Sequence, residues 1–196
     1  MTPPNYEFAQ PIVTERLTLR LMTHGDLDDL LAYKSREDVC RYLLYEPLTR
    51  EQLEPKIAVW GAATRMAAEH DYLQPVIQLG DRVIGDMYLT IASVESRGAE
   101  IGWTLHPDFH GKGYASEAAT AMLDLAFGEL GMHRVRAELD PRNTASIALC
   151  RRLGMREEAH FVRDLMFRGD WADTGVYAIL EEEWAARKRG GAVVAE

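Results

Sequence analysis

Apolar and polar residues recur along the chain with two periods, and the switches between them mark the elements. Residues 1–11 read as an irregular lead-in. Between Ile12 and Leu21, the positions Leu17, Leu19 and Leu21 alternate with polar neighbours, the period of a half-buried first strand. His24-Gly25-Asp26 then opens a helix in which Leu27, Leu30, Leu31 and Lys34 follow helical spacing. Asp26, Asp28 and Asp29 fall in its first turn, where the helix dipole favours negative charge. A second helix starts near Thr49, where Thr49-Arg50-Glu51-Gln52 resembles a capping box. It runs through Ile57, Trp60 and Ala63 to about Ala68, although Pro55 in its early turns argues for a later start.

From Tyr72 the period shortens. Pro75–Leu79 and Val83–Ile91, joined by Gly80-Asp81-Arg82, predict a β-hairpin, and Ala99–Leu105 a further strand ended by His106-Pro107-Asp108. A long helix is expected from about Tyr114 to Leu130, burying Ala118, Ala119, Met122, Leu123 and Ala126 and stopping at Gly131. Val135–Leu139 is the next strand. Pro141-Arg142-Asn143-Thr144 caps a helix that ends at Leu153-Gly154, and Arg156–Leu180 reads as two strands around Arg168-Gly169-Asp170. After Glu181 comes a short charged tail, expected to fray beyond Arg187. Elements in this mixed order imply an α+β (mixed α/β) fold in one domain over 1–187, with 188–196 as a flexible tail.

Composition narrows the class. The chain has 196 residues and is 47% hydrophobic, enough for a sizeable core without a metal or disulfide staple. Its two cysteines, Cys40 and Cys150, lie far apart and form no CxxC pair, which fits a reduced, cytoplasmic protein. The start, Thr2-Pro3-Pro4-Asn5, has neither the basic nor the apolar region of a signal peptide, and no apolar run approaches the ~20 residues of a membrane span. A formal net charge of −9 repels nucleic-acid phosphates. No nucleic-acid or membrane partner is expected. The charge suits a cationic partner such as an amine, or serves solubility alone.

The candidate chemistry lies in strand, then Pro107-Asp108-Phe109-His110-Gly111-Lys112-Gly113-Tyr114-Ala115, then a helix rich in small residues. Glycines let backbone approach a ligand closely, and the free amides and dipole at the following helix N-terminus favour an anion such as pyrophosphate. Lys112 would add charge if turned inward; a solvated lysine is the plainer reading. The spacing is not Gly-x-x-x-x-Gly-Lys-Ser/Thr, because Gly113 follows Lys112, and the third glycine of a dinucleotide fingerprint is missing.

Together with its flanks, Glu100-Ile101-Gly102-Trp103 before it and Ser116-Glu117-Ala118 after it, this run resembles the coenzyme A motif of the GCN5-related N-acetyltransferase (GNAT) superfamily. It is most similar to the branch containing the ribosomal-protein alanine N-acetyltransferases. Asn143-Thr144-Ala145-Ser146-Ile147-Ala148-Leu149-Cys150-Arg151-Arg152-Leu153-Gly154-Met155 and the opening Thr14–Arg20 resemble the same branch, in the same order. The resemblance implies a mostly antiparallel sheet of about seven strands, splayed between the fourth and fifth. Acetyl-CoA would enter as co-substrate, its pantetheine arm along Thr104 and Leu105. Its pyrophosphate would rest on the amides of His110, Gly111, Lys112, Gly113, Tyr114 and Ala115, with Asn143 and Ser146 touching pantetheine or phosphate. The family usually places Gln or Arg where this chain has His110. The acceptor would be a primary amine, on a protein N-terminus or a small molecule, and Tyr33, Tyr42, Tyr45 and Trp60 would wall its site. A homodimer is compatible with all of this.

Acetyl transfer needs a base to free the amine lone pair, a donor for the developing oxyanion and an acid for the departing thiolate. A strand amide near Leu105 would serve the oxyanion, and the amine can attack directly. Glu100, on the strand entering the cleft, is the candidate base, against the plainer reading of a solvated acid. Many relatives carry Tyr where this chain has Cys150, so Cys150 is a candidate acid, beside Ser146; a buried cysteine is more often inert packing. Asn143 reads equally as a helix N-cap. No His can be placed beside Cys150 for a cysteine nucleophile, and the six histidines form no metal pattern. Two other readings keep the fold: another acyl-CoA such as succinyl-CoA, which wants a basic residue near the thioester, or a non-catalytic acyl-CoA sensor with a neutral cleft.

Overall fold

One long sheet with helices on both faces organises the molecule, a computed structural model that describes residues 4–191. The expected first strand is two short ones, β2 (Ile12–Val13) and β3 (Thr18–Arg20), antiparallel with Ile12 opposite Leu19. Thr14 folds the chain between them, its amide donating to the Leu17 carbonyl and its hydroxyl oxygen accepting from the Leu17 amide. The lead-in is not wholly irregular. Tyr6–Glu7 (β1) pairs with Arg65–Met66 (β4), and Phe8 and Met66 are buried.

Helix α1 spans Leu27–Lys34 and a short α2 spans Glu37–Cys40. The next helix, α3, begins at Arg50, held by the capping box: Gln52 N–H donates to Thr49 Oγ1 and the Thr49 amide to Gln52 Oε1. Pro55 sits inside it and does not delay its start. The helix ends at Gly61 rather than near Ala68, because Arg65 and Met66 are taken up by the pairing with β1.

β5 (Tyr72–Leu73), β6 (Val76–Leu79), β7 (Arg82–Ser93) and β8 (Gly98–Leu105) follow as antiparallel neighbours. Val83 lies opposite Gln78 and Gly85 opposite Ile77, so Ile84 is an extra residue, a β-bulge. The bulge reverses the alternation. Ile84 and Met87 both enter one core, while Asp86 turns to the opposite face. Gly85 tolerates no side chain, since a Cβ there would lie 2.4 Å from the Thr104 carbonyl oxygen.

After β8 come α4 (Tyr114–Asp124), a wider π-type turn to Glu129 closed by the Leu130 amide on Leu125 O, and β9 (Arg134–Leu139). Helix α5 (Thr144–Leu153) precedes the hairpin β10 (Arg156–Phe167) and β11 (Asp170–Leu180). Both residues of its turn have positive φ, Arg168 at 52° and Gly169 at 79°, the geometry that matches strand twist. The strand order is β10-β11-β9-β8-β7-β6-β3-β2. The neighbours β8 and β9 are parallel, and they pair only from Gly98 with Arg134 to Glu100 with Arg136. Beyond Glu100 they part, so the sheet splays between the fourth and fifth of the strands expected from the sequence.

One core holds Leu19, Ile77, Met87 and Ile101 beneath α4 and α5; a second, on the other face, holds Leu30, Leu53, Ile57 and Val76 beneath α1 and α3. The expected tail is corrected. Glu181–Gly191 form helix α6, anchored by Trp184, which is buried against Phe127 and donates through Nε1 to Asp124 Oδ1 at 2.9 Å. Lys188 binds the same carboxylate oxygen, so 188–191 continue the helix; 192–196 lie outside the described residues.

Candidate functional site

The glycine turn sits where β8 ends. Pro107–Phe109 make one 3-10 turn, braced by the Asp108 amide donating to His106 Nδ1 at 3.2 Å. Gly111 (φ 73°) and Gly113 (φ 83°) then adopt the left-handed conformation that side chains resist. Nothing lies within 4 Å of a Cβ built on Gly111, whereas one on Gly113 would meet Arg16 Nη2 at 3.3 Å. The first amide of α4 to reach a carbonyl is that of Glu117, on Gly113 O, which leaves the preceding amides outside the helix ladder. An open cradle at the positive end of a helix fits a pyrophosphate.

Sequence reading missed what holds this turn. Arg16 donates through Nη1 to the Lys112 carbonyl (3.0 Å) and through Nε to Glu117 Oε2 (2.7 Å), and its guanidinium lies 4.6 Å from the Tyr114 ring centre. The Arg16 amide and the Thr14 hydroxyl both donate to Glu117 Oε1. Burial pushes the Glu117 carboxyl up, but the bonds from Thr14 and Arg16 outweigh it and hold it below its ordinary value. The Thr14–Arg20 segment and the glycine turn are one construction.

Two side chains of the turn point inward on their own loop. Lys112 Nζ donates to the Asp108 carbonyl at 2.9 Å and stacks on Phe109; His110 Nε2 lies 2.9 Å from the Leu105 carbonyl. Lys112 is therefore spent on the turn, and His110 ties it to the end of β8. Tyr114 and Ala115 supply backbone from the first turn of α4.

Along α5, Asn143 caps the helix, its Oδ1 accepting the Ser146 amide at 3.1 Å, and Ser146 Oγ accepts from Trp103 Nε1 at 3.2 Å. Trp103 thus bridges β8 and α5 on one face of the sheet. Glu100 lies at the closed end of the splay, where Arg136 donates to its Oε2 at 3.1 Å; Arg136 also binds Glu138. Cys150 is removed from the cleft. It is fully buried, and burial pushes its thiol up to about 12. A thiol held there surrenders its proton less readily than a departing thiol of ordinary value, near ~8.5, requires.

On the other face of β8, the register aligns Thr104 with Asp86, Gly102 with Tyr88 and Glu100 with Thr90. Here the structure assembles a polar cluster that the sequence reading did not single out. Lys34 Nζ lies 2.8 Å from Asp86 Oδ1, and both side chains are buried. Tyr33 donates to Asp86 Oδ1 (2.7 Å) and Gln74 to Asp86 Oδ2 (3.0 Å). The ammonium lies 3.5 Å from the Tyr45 hydroxyl and 5.3–5.5 Å from the ring centres of Tyr33, Tyr45 and Trp60. Burial pulls the Lys34 ammonium down, but Asp86 prevails and the group stays charged. Burial raises the Tyr45 phenol, opposed by Lys34, and its oxygen also bonds the Thr104 side chain. The signal was present: Lys34 sits on the apolar face of α1, four residues after Leu30, where a lysine requires a buried counter-charge.

Beside this cluster, at the end of β9, a cavity of about 290 Å³ is lined by Tyr42, Leu44, Phe161 and Phe167, by the carboxylates Glu138, Asp140, Asp164 and Asp173, and by one cation, Arg41. Asp140 is held by Arg142, and Asp173 by His160. The hairpin tip closes one side. Arg168 donates to the carbonyls of Cys40 and Tyr45 and pairs with Glu46 at 3.0 Å. Among the described residues, no group of His, Cys, Asp and Glu is arranged to hold a metal ion, and no helix is long and apolar enough to cross a membrane.

A splayed sheet, a glycine cradle at its mouth and an acidic cavity beside it define an acyl-transfer architecture, and comparison with known proteins agrees. Residues 16–156 match the model of the acetyltransferase (GNAT) domain. The uncharacterized N-acetyltransferase YnaD of Bacillus subtilis is 31% identical over 173 residues, covering 88% of this chain and 98% of the relative. A GNAT-family acetyltransferase structure from Bacillus anthracis superposes with a TM-score of 0.79 at 31% identity, over 89% of this chain and 100% of that one. The spermidine N-acetyltransferase of Vibrio cholerae, solved with CoA and spermine, shares the fold with a TM-score of 0.73 at 23% identity, over 88% and 99% of the two chains. The chain belongs to the GNAT family. It is an acyl-CoA-dependent acetyltransferase.

Proposed function

We propose that the protein transfers the acetyl group of acetyl-CoA to a primary amine, on a protein N-terminus or a small molecule, by direct attack within a ternary complex. The observation that carries this reading is the parting of β8 from β9 beyond Glu100, which leaves a strand edge leading to the two-glycine turn. A pyrophosphate on the amides from Gly111 to Ala115, the His110 amide being spent on the Pro107 carbonyl, sends the pantetheine arm back along Leu105 and Thr104, with Asn143 and Ser146 at its flank. The thioester then lies near the middle of β8, between Thr104 and Glu100, where a strand amide receives the oxyanion. Glu100 keeps Oε1 outside its pair with Arg136 and takes the amine proton through water. The acidic cavity favours a cationic acceptor, in keeping with the spermine bound by the Vibrio cholerae relative.

The test is acetyl-CoA consumption across a panel of polyamines, aryl-alkyl amines and N-terminal peptides, with thermal-shift binding of acetyl-CoA alongside. Turnover on at least one amine is expected. Binding without turnover on any of them would point to a sensor, and absence of binding would sink the reading.

A further inference from the structure

The cationic side chains of the glycine turn are engaged within the turn itself. His110 Nε2 lies on the Leu105 carbonyl, and Lys112 Nζ donates to the Asp108 carbonyl. The guanidinium that reaches the turn from elsewhere belongs to Arg16, 96 residues before Lys112. We propose that Arg16 is a positioning residue for the cofactor: it holds the Lys112 carbonyl from the outer side and so keeps the Gly113 amide turned towards the pyrophosphate. This rests on the acetyltransferase reading above.

Three observations carry the assignment. The first is direction. Arg16 Nη1 donates to Lys112 O at 3.0 Å, and the Lys112–Gly113 peptide is trans, so its N–H points opposite to its C=O and away from the guanidinium. That Gly113 amide donates to no group among the described residues, and it stands free for an anion. The second is that the peptide has a choice. Gly113 (φ 83°) is a glycine, to which φ of either sign is open, so the same plane turned over would present its carbonyl to the cradle and repel phosphate oxygens. Among the described residues, Arg16 is the group bonded to the Lys112 carbonyl, and it selects the amide-inward orientation.

The third observation is that Arg16 is itself fixed. Its Nε donates to Glu117 Oε2 at 2.7 Å, its amide donates to Glu117 Oε1 at 2.8 Å, and its guanidinium lies 4.6 Å from the Tyr114 ring centre. A pyrophosphate on the N–H and a guanidinium on the C=O polarise one peptide in the same sense, so each strengthens the other's bond. Arg16 touches no reacting atom; its effect passes through the Lys112–Gly113 peptide.

The test compares acyl donors. S-acetyl-pantetheine carries the thioester and the arm without the pyrophosphate, and 3′-dephospho-acetyl-CoA keeps the pyrophosphate. With whichever panel amine the wild type acetylates, kcat/KM is read for all three donors as the initial slope of rate against donor concentration. Arg16→Met keeps an unbranched stem beside Tyr114 and removes the donors. In this variant the ratio of kcat/KM for acetyl-CoA to that for S-acetyl-pantetheine is expected to fall about tenfold or more, with the dephospho donor falling as acetyl-CoA does. An Arg16–Glu117 pair that only stapled the fold would lower all three donors together and leave the ratio at its wild-type value. Lysine restores the charge but lacks the planar fork that spans Lys112 O and Glu117 at once, so Arg16→Lys should recover only part of the ratio. Should Arg16→Met fail to fold, Glu117→Gln reads the same quantity: losing the carboxylate loosens Arg16, and the ratio should fall less steeply. An unchanged ratio in these variants, full recovery in Arg16→Lys, or a loss confined to the donor with the 3′-phosphate would overturn the assignment. A wild type that neither binds nor consumes acetyl-CoA would instead overturn the acetyltransferase reading beneath it.

Discussion

At the scale of single residues, the site depends on positions where one atom more or less changes the chemistry. Gly113 combines a left-handed backbone with a neighbour, Arg16 Nη2, only 3.3 Å from where a Cβ would be. Gly113→Val should lower acetyl-CoA affinity at least tenfold in a calorimetric titration and cost about 1–2 kcal/mol of stability, the ordinary penalty for an L-residue in that conformation. Equal affinity in the variant would mean that the phosphate cradle lies elsewhere. Glu117 gives the matching prediction for pH. Its carboxyl is held below the ordinary value in the folded state, so its contribution is complete above the unfolded value near ~4.3 and is lost as pH falls through the lower folded one. Acid unfolding of the wild type should therefore steepen there, and Glu117→Gln, followed by circular dichroism against pH, should flatten that limb.

Among elements, the helices and strands with a clean period were readable from the chain, and those set by a distant partner were not. The hairpin at Gly80, the small-residue helix α4 and the Asn143 cap all declare themselves locally. The end of α3 does not, because Ala62–Ala68 is acceptable as helix and only the pairing of Arg65 and Met66 with β1 decides otherwise. The same holds for α6, whose charged sequence reads as a tail until Trp184 meets Phe127 and Asp124. Trp184→Ala should consequently cost about 3–5 kcal/mol, read as a lower urea midpoint with an unchanged slope. A loss under 1 kcal/mol would show that α6 is not docked. In the candidate site, the glycine turn was legible from its spacing and Lys34 left a signal as a lysine on an apolar helix face, whereas Asp86 and Arg16 were not legible, since each owes its role to a residue far off in sequence. Asp86 in particular meets Lys34 and Tyr33 only because a bulge shifts the strand by one.

For the molecule as a whole, the net charge of −9 is unevenly spread. Glu138, Asp140, Asp164 and Asp173 line one cavity beside the splay together with Arg41, and after the pairing of Glu138 with Arg136, Asp140 with Arg142 and Asp173 with His160 a modest negative excess is left to draw a cationic acceptor. Raising the salt concentration should raise KM for such an amine while leaving kcat nearly unchanged, as measured by initial rates. A KM independent of salt would move the acceptor away from that cavity.

Arg168 at the hairpin tip gives the splayed sheet a second tie. β8 and β9 are joined at one end by three strand pairs and on the α5 face by Trp103 bonding Ser146, while on the opposite face Arg168 reaches the Cys40–Glu46 segment. The two halves also share one core, in which Leu149 and Ile179 belong to the same cluster as Met87 and Ile101. Opening of the wedge is therefore resisted by apolar packing on one face and by ionic contacts on the other, and added salt loosens only the second.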